Sequence, residues 1–245
     1  MRLDLYLAEN GYAKSRSEAQ RLIREGKVTV DGTVCRAAAK AVSRDSEITV
    51  DRTDCRYVSR GGLKLETALN AFSIEVTGRV CLDIGASTGG FTDCLLQHGA
   101  KCVYAVENGH GQLDPTLLAT DRVVSYEHYH AKNLDPADFP EPVTLAAMDV
   151  SFISQTLILP AVYRTITPGG ILISLIKPQF EAGRDAVGHG GIVRTKAARD
   201  AAVQKVLRCA EEIGFSLHEV IPSPITGGDG NLEYLTYFVK GDSAS

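Results

Sequence analysis

Four ionisable side chains stand where predicted elements begin or end. Asp149 follows the apolar run Val143–Met148, and Lys177 follows Ile171–Ile176. Glu233 lies at the entry to the run Tyr234–Val239, and Lys64 falls in the first turn of a helix that starts at Gly62. The helix dipole disfavours a lysine in that turn, so its position hints at a use. Two lysines and two carboxylates at one sheet edge can orient a hydroxyl and remove its proton. An alcohol is a poor nucleophile until a base and a fixed orientation are supplied. A lysine amine can be that base once burial or a neighbouring cation leaves it partly neutral. Which lysine does so is not decided by spacing.

A second group of residues shows what that hydroxyl could attack. Val80 to Ile84 reads as a buried parallel strand. It runs into Gly85, Ala86, Ser87, Thr88, Gly89 and Gly90, and a helix continues from Phe91. A strand, a glycine turn and a helix start turn backbone N–H groups and the positive helix end toward a ligand. No Gly-Lys-Ser/Thr follows, which excludes a P-loop, and Ser87 stands where the dinucleotide fingerprint needs its second glycine. The next strand, Lys101 to Val106, ends on Glu107, an acid placed for a ribose 2′,3′-diol. S-adenosylmethionine and a nicotinamide dinucleotide both carry adenosine and both stay open here. The first also carries a sulfonium and an amino acid, which Asp83 could face. The candidate cofactor contacts are Asp83, Gly85 through Phe91, Glu107, Asn108 and Asp149.

The elements that position these residues alternate strand and helix. Strands are expected over 80–84, 101–106, 122–125, 143–148, 171–176, 215–221 and 234–239, and a helix is expected to start from Ser151 after the fourth. Thr195 to Ile213 reads as a long amphipathic helix stopped by Gly214. The result is an α/β, Rossmann-like sheet of seven strands finished by a hairpin. Ligands in such sheets bind at the carboxyl edge, where Asp149 and Lys177 lie.

Residues 1–50 form a separate α+β module, and the polar stretch 51–57 is the expected linker to a large domain over 58–245. Ser15 can cap a helix with Glu18 as capping-box partner, and Asp31-Gly32 signals a hairpin. Arg2, Lys14, Arg16, Arg21, Arg24 and Lys27 crowd this module, and Arg60 follows the linker. A basic helix beside a small sheet suits phosphate-backbone contacts. Residues 1–60 hold 12 Lys+Arg against 9 Asp+Glu, while the whole chain carries a net −4. The segment resembles the RNA-binding domain of the ribosomal-protein "S-four" type. The matching residues are Arg2-Leu3-Asp4, Gly11, Ser15-Arg16, Ala19, Leu22-Ile23, Gly26-Lys27-Val28 and Val30-Asp31-Gly32.

Composition narrows the classes further. A hydrophobic fraction of 44% and a charged fraction of 23% describe an ordinary globular chain. No apolar run approaches the ~20 residues that span a bilayer. The six cysteines include no CxxC pair, which suggests reduced thiols in a cytoplasmic protein rather than disulfides or a metal site. His128, Tyr129 and His130 are read as a surface loop, because no further ligand has matching spacing. Gly183 to Arg194 is a glycine-rich loop, either a cover over the site or a plain connection.

Across its length the chain is similar to the TlyA family, whose large domain resembles FtsJ-type RNA ribose methyltransferases. The motifs that carry the likeness are Ser59-Arg60-Gly61-Gly62-Leu63-Lys64-Leu65, Asp83 through Thr92, Gly109-His110-Gly111-Gln112-Leu113, Asp149-Val150-Ser151-Phe152-Ile153-Ser154, Lys177-Pro178-Gln179-Phe180-Glu181 and Gly230-Asn231-Leu232-Glu233-Tyr234. The resemblance implies a methyltransferase sheet with its last strand antiparallel, and S-adenosylmethionine as methyl donor. It implies a catalytic tetrad of Lys64, Asp149, Lys177 and Glu233 and 2′-O-methylation of cytidine in ribosomal RNA. The absence of long terminal extensions points, within the resemblance, to large-subunit RNA. Glu107 stands where the family often has Asp, and His110 where Tyr is expected. Other readings are a membrane-active hemolysin, the family's alternative label, an RNA-binding module with an inactive second domain, and a small-molecule methyltransferase. The first needs an amphipathic exposed segment, and none is found.

Overall fold

A computed structural model describes residues 1–13, 15–24, 26–51, 56–188, 190–227 and 230–241, with the side chains of Arg21 and Arg184 set aside. The chain divides into two compact units, Met1–Cys55 and Arg56–Ser245. Arg56 and Tyr57, assigned to the linker on polarity, belong to the second unit. The reason is packing: Tyr57 is buried, and its ring occupies the space a side chain at Gly62 would need.

In the first unit, helices α1 (Leu3–Glu9) and α2 (Arg16–Arg24) cover a sheet of β1 (Val28–Val30), β2 (Thr33–Val34) and β3 (Ile48–Val50), ordered β2-β1-β3. Both strand pairs are antiparallel. Ser15 Oγ accepts from Glu18 N at 3.2 Å, the cap expected from the sequence. Asp31 and Gly32 both take positive φ (53° and 75°), as a tight hairpin turn requires. Leu3, Leu7, Ala19, Ile23 and Val28 are fully buried and form the centre of this core.

The second unit holds α3 (Gly61–Ala71), β4 (Val80–Ile84), α4 (Gly90–Gln97), β5 (Cys102–Val106), α5 (Pro115–Leu118), β6 (Val123–Tyr126) and β7 (Val143–Met148). It continues with α6 (Leu159–Thr165), β8 (Ile166–Ile176), α7 (Pro178–Glu181), α8 (Lys196–Ile213), β9 (Phe215–Pro222) and β10 (Tyr234–Lys240). The seven strands are ordered β6-β5-β4-β7-β8-β10-β9. β10 runs antiparallel to both neighbours, while β6, β5, β4, β7 and β8 are joined in parallel. Every residue of β4 is buried, as a central parallel strand demands. Its side chains alternate between two cores. Cys81 joins Leu65, Cys94 and Leu95 of α3 and α4, whereas Leu82 and Ile84 join Val162 and Val206 of α6 and α8.

The chain leaves β4 toward β5 and β6, then returns to the other side of β4 at β7. That reversal opens a crevice at the carboxyl ends of β4 and β7. The helix expected from Ser151 begins later. Phe152 adopts φ 64°, a left-handed conformation that no helix continues through, and α6 starts only at Leu159 after a short 3₁₀ turn over Gln155–Leu157. β8 also begins earlier than its apolar run. Ile166 already pairs with Val143, and the register slips before Ile171 meets Leu145, where Pro168-Gly169-Gly170 bulges out.

Candidate active site

The glycine turn is built for close approach. Gly85 has φ 86°, and a Cβ there would come within 2.5 Å of the Asp149 carbonyl oxygen. Backbone bonds hold the turn, with Gly85 N and Ala86 N donating to Val106 O and Asp149 N donating to Ile84 O. Asp83 lies beneath the turn rather than in the crevice. It is fully buried and accepts from Thr92 N at 2.8 Å and Thr92 Oγ1 at 2.7 Å, tying β4 to the first turn of α4. Its Oδ1 has no partner among the described protein groups. Burial, reinforced by the charges of Asp149 and Glu107, pushes this carboxyl up to about 7.

Above the turn is a cleft of about 740 Å³. Of the candidate cofactor contacts, Gly85, Ser87, Glu107, Asn108 and Asp149 line it. Ala86, Thr88, Gly89, Gly90 and Phe91 do not: Ala86, Gly90 and Phe91 face the core, and Gly89 caps α4. Glu107 is held in place, its Oε2 accepting from Ser87 N at 2.9 Å and its Oε1 from Gly109 N at 2.7 Å. The cleft volume suits a nucleoside-sized ligand. Carboxylates of Glu107 and Asp149 line it, the first at the end of the second strand, as a ribose and a nearby cation require. These residues fit S-adenosylmethionine.

The four candidate catalytic residues form two ion pairs. Lys64 Nζ lies 2.5 Å from Glu233 Oε2, with side chains 11% and 2% exposed. Lys177 Nζ lies 2.6 Å from Asp149 Oδ1 and donates to Ser151 Oγ at 2.9 Å. Sheet register relates the two pairs. Tyr234 pairs with Ile176, so the next position outward sets Glu233 beside Lys177. The antiparallel return of β10 thus brings a carboxylate to the edge that the parallel strands end on.

In the first unit, Arg2 and Arg16 converge on Asp4. The Asp4 carboxylate is fully buried and receives Arg2 Nε at 3.0 Å, Arg16 Nε at 2.9 Å and Gln20 Nε2 at 2.8 Å. The Arg2, Gln20 and Arg16 hydrogen bonds hold that carboxyl well below the usual carboxylate range. Both guanidiniums stay about half exposed. Arg24 is exposed, and Lys27 is half-buried. Lys14 and the Arg21 side chain lie outside the described residues. Arg60, in the second unit, stands at the N-cap of α3.

Several contributors were not legible beforehand. Tyr129 and His130, read as a surface loop, line the cleft because they follow the carboxyl end of β6. Their place after the third strand was the available signal. Neighbouring His128 stacks on His110 with ring centroids 5.2 Å apart, and His110 Nδ1 is 2.8 Å from Glu127 Oε2. Among the described residues no cluster of histidine, cysteine or carboxylate side chains could hold a metal ion. Asn231 is buried and pins the glycine-rich loop, accepting from Val193 N at 3.0 Å and donating to Gly191 O at 2.9 Å. His189 in that loop lies outside the described residues.

Comparison with known proteins gives a consistent result. The FtsJ-like methyltransferase family matches residues 57–240, and the S4 domain matches residues 1–48. Hemolysin A of Brachyspira hyodysenteriae is 43% identical over 240 residues, covering 98% of this chain and 100% of that protein. The 16S/23S rRNA (cytidine-2′-O)-methyltransferase TlyA of Mycobacterium tuberculosis is 43% identical over 237 residues, covering 96% and 88%. A solved structure from Streptococcus thermophilus that carries the hemolysin label superposes with a TM-score of 0.81 at 42% identity, covering 99% of this chain and 89% of that one. Among the described residues no helix is long and apolar enough to cross a membrane.

Proposed function

This chain belongs to the FtsJ-like methyltransferase family, and from that premise we propose that it transfers the methyl group of S-adenosylmethionine to the 2′-hydroxyl of a cytidine in ribosomal RNA. The observation that carries the reading is the Lys177–Asp149 pair, because Asp149 and Ser151 line the cleft while Lys177 touches both. When bound, S-adenosylmethionine supplies an electrophilic methyl carbon on a sulfonium. Glu107, held by Ser87 N and Gly109 N, orients the donor's ribose hydroxyls.

Lys177 receives the acceptor hydroxyl. To take the 2′-hydroxyl proton as the oxygen–carbon bond forms and the sulfur–carbon bond breaks, its amine must first give up to solvent the proton that makes it the cation of the Asp149 pair. Asp149 then stabilises the ammonium so formed. Lys64 and Glu233 fix the other side of the acceptor. Phe152 is 91% exposed in its left-handed conformation and lines the cleft beside Phe180, a ready face for a nucleobase. Arg2, Lys14, Arg16, Arg21, Arg24, Lys27 and Arg60 contact RNA phosphates. Large-subunit RNA, free or in the ribosomal subunit, in the cytoplasm, is the finer assignment.

The test is transfer of labelled methyl from S-adenosylmethionine to purified small and large ribosomal subunits, wild type beside Lys177→Ala. Label retained in an alkali-resistant dinucleotide from the large subunit, and lost in the variant, is expected. Label confined to the small subunit would overturn the finer assignment, and absence of label from both would overturn the ribosomal one.

A further inference from the structure

Two loop segments carry the chemistry proposed above: residues 149–155, leaving β7, and residues 177–181, leaving β8 and including the one-turn helix α7. At their outer end they meet through Lys177, Asp149 and Ser151, where Ser151 is exposed. In the middle they meet through the rings of Phe152 and Phe180, 5.1 Å apart. Phe152 is almost fully exposed, so that contact alone grips weakly. At the inner end lies Glu181, only 5% exposed. Its Oε2 accepts from Ser154 Oγ at 2.5 Å, and its Oε1 accepts from Gln155 N at 2.7 Å.

The inner contact continues into the sheet. Gln155 is buried, donates from Nε2 to Leu175 O at 2.7 Å and accepts from Ser174 Oγ at 2.7 Å. From the other side, Lys205 of α8 donates to Glu181 O at 3.1 Å and lies 3.6 Å from Glu181 Oε2. One buried carboxylate therefore ties the two loops together, and Gln155 ties that joint to β8; hydrogen bonds to a buried charge are strong.

We infer that Glu181 is a positioning residue for Lys177 and Asp149: it sets the separation of the loops that carry them and touches neither. This rests on the methyl-transfer reading only for its kinetic readout. Loops free to part at the buried end would part at the exposed end as well. A misplacement of about 1 Å is enough to cost on the order of 100-fold in rate.

The experiment compares Glu181→Gln and Glu181→Ala with wild type. The Gln variant keeps one acceptor for Gln155 N, and Ser154→Ala provides a milder cut should the Ala variant fail to fold. For Glu181→Ala, kcat is expected to fall roughly 10- to 100-fold while the dissociation constant for S-adenosylmethionine changes by less than about 3-fold, with Gln between. Independently of RNA, acetylation of each lysine by acetic anhydride is followed by mass spectrometry. Lys177 is expected to react several-fold faster in the variants, with Lys64 unchanged as the internal reference. Loss of donor affinity in step with kcat, or an unaltered Lys177 rate, overturns the inference. If wild type transfers no methyl, the functional reading fails while the Lys177 rate still decides the brace.

Discussion

The carbonyl oxygen of Asp149 occupies the space in which Gly85 would carry a Cβ, 2.5 Å from that atom's ideal position. The ends of β4 and β7 therefore touch backbone to backbone, directly under the cleft. Gly85→Ala is expected to combine this clash with a positive φ of 86°. Left-handed strain alone costs about 1–3 kcal/mol. Urea unfolding is expected to show at least that loss, and equilibrium titration with S-adenosylmethionine a weakened site. Unchanged values for both would mean that the strand ends can separate freely.

The Lys64–Glu233 pair separates stability from catalysis. Both side chains are nearly buried, so removing one partner strands the other's charge. Lys64→Met or Glu233→Leu alone is expected to cost about 3–5 kcal/mol, as broken buried pairs do. The double variant is expected to recover much of that in thermal unfolding, because neither charge is then stranded. Methyl transfer stays lost in all three. A double variant with restored activity would remove this pair from the chemistry.

Asp83 predicts a pH dependence of opposite sign to most carboxylates. Its folded value of about 7 lies above the ordinary aspartate value near ~3.9. The folded state therefore binds the extra proton between those values. Its contribution is intact below pH ~4 and is lost as pH rises toward 7, by up to a few kcal/mol. Denaturant unfolding of wild type and Asp83→Asn across that range is expected to show the Asn variant gaining relative stability with rising pH. A constant difference would place the proton elsewhere.

Asp4 predicts the reverse. Its carboxyl is held below the usual range by Arg2, Gln20 and Arg16, so its contribution is present above pH ~4 and fades as pH falls further. Asp4→Asn is expected to lower the melting temperature at pH 7 and to converge on wild type in acid. It also releases the two arginines it orients. Ribosomal RNA binding is therefore expected to weaken and its salt dependence to become shallower, as fewer phosphates are neutralised together.

Much of this architecture was readable from residue order. The alternation of apolar runs and helical spacing located all seven strands of the large unit and placed Asp149, Lys177 and Glu233 at the edge where its parallel strands end. What escaped depended on direction and convergence. Strand parity puts Asp83 on the same face as Cys81, toward α4, and that parity outranked its place next to a glycine turn. The late start of α6 came from one left-handed residue, Phe152, and nothing in its type announces that conformation. Tyr129 and His130 reach the cleft only because β6 ends level with β4 and β5, a fact of register rather than composition. Tyr57 looked like linker because its neighbours are polar, yet a glycine five residues on left room for its ring.

Lys64 and Glu233 are 169 positions apart in the chain, and the second arrives on the strand that is made last. During synthesis the glycine turn, Glu107, Asp149 and Lys177 all emerge before that carboxylate exists. A nascent chain stopped after β9 carries Lys64 but not the carboxylate it pairs with. Under the proposed function, the full set of four side chains comes together only when β10 slots between β8 and β9, both made before it.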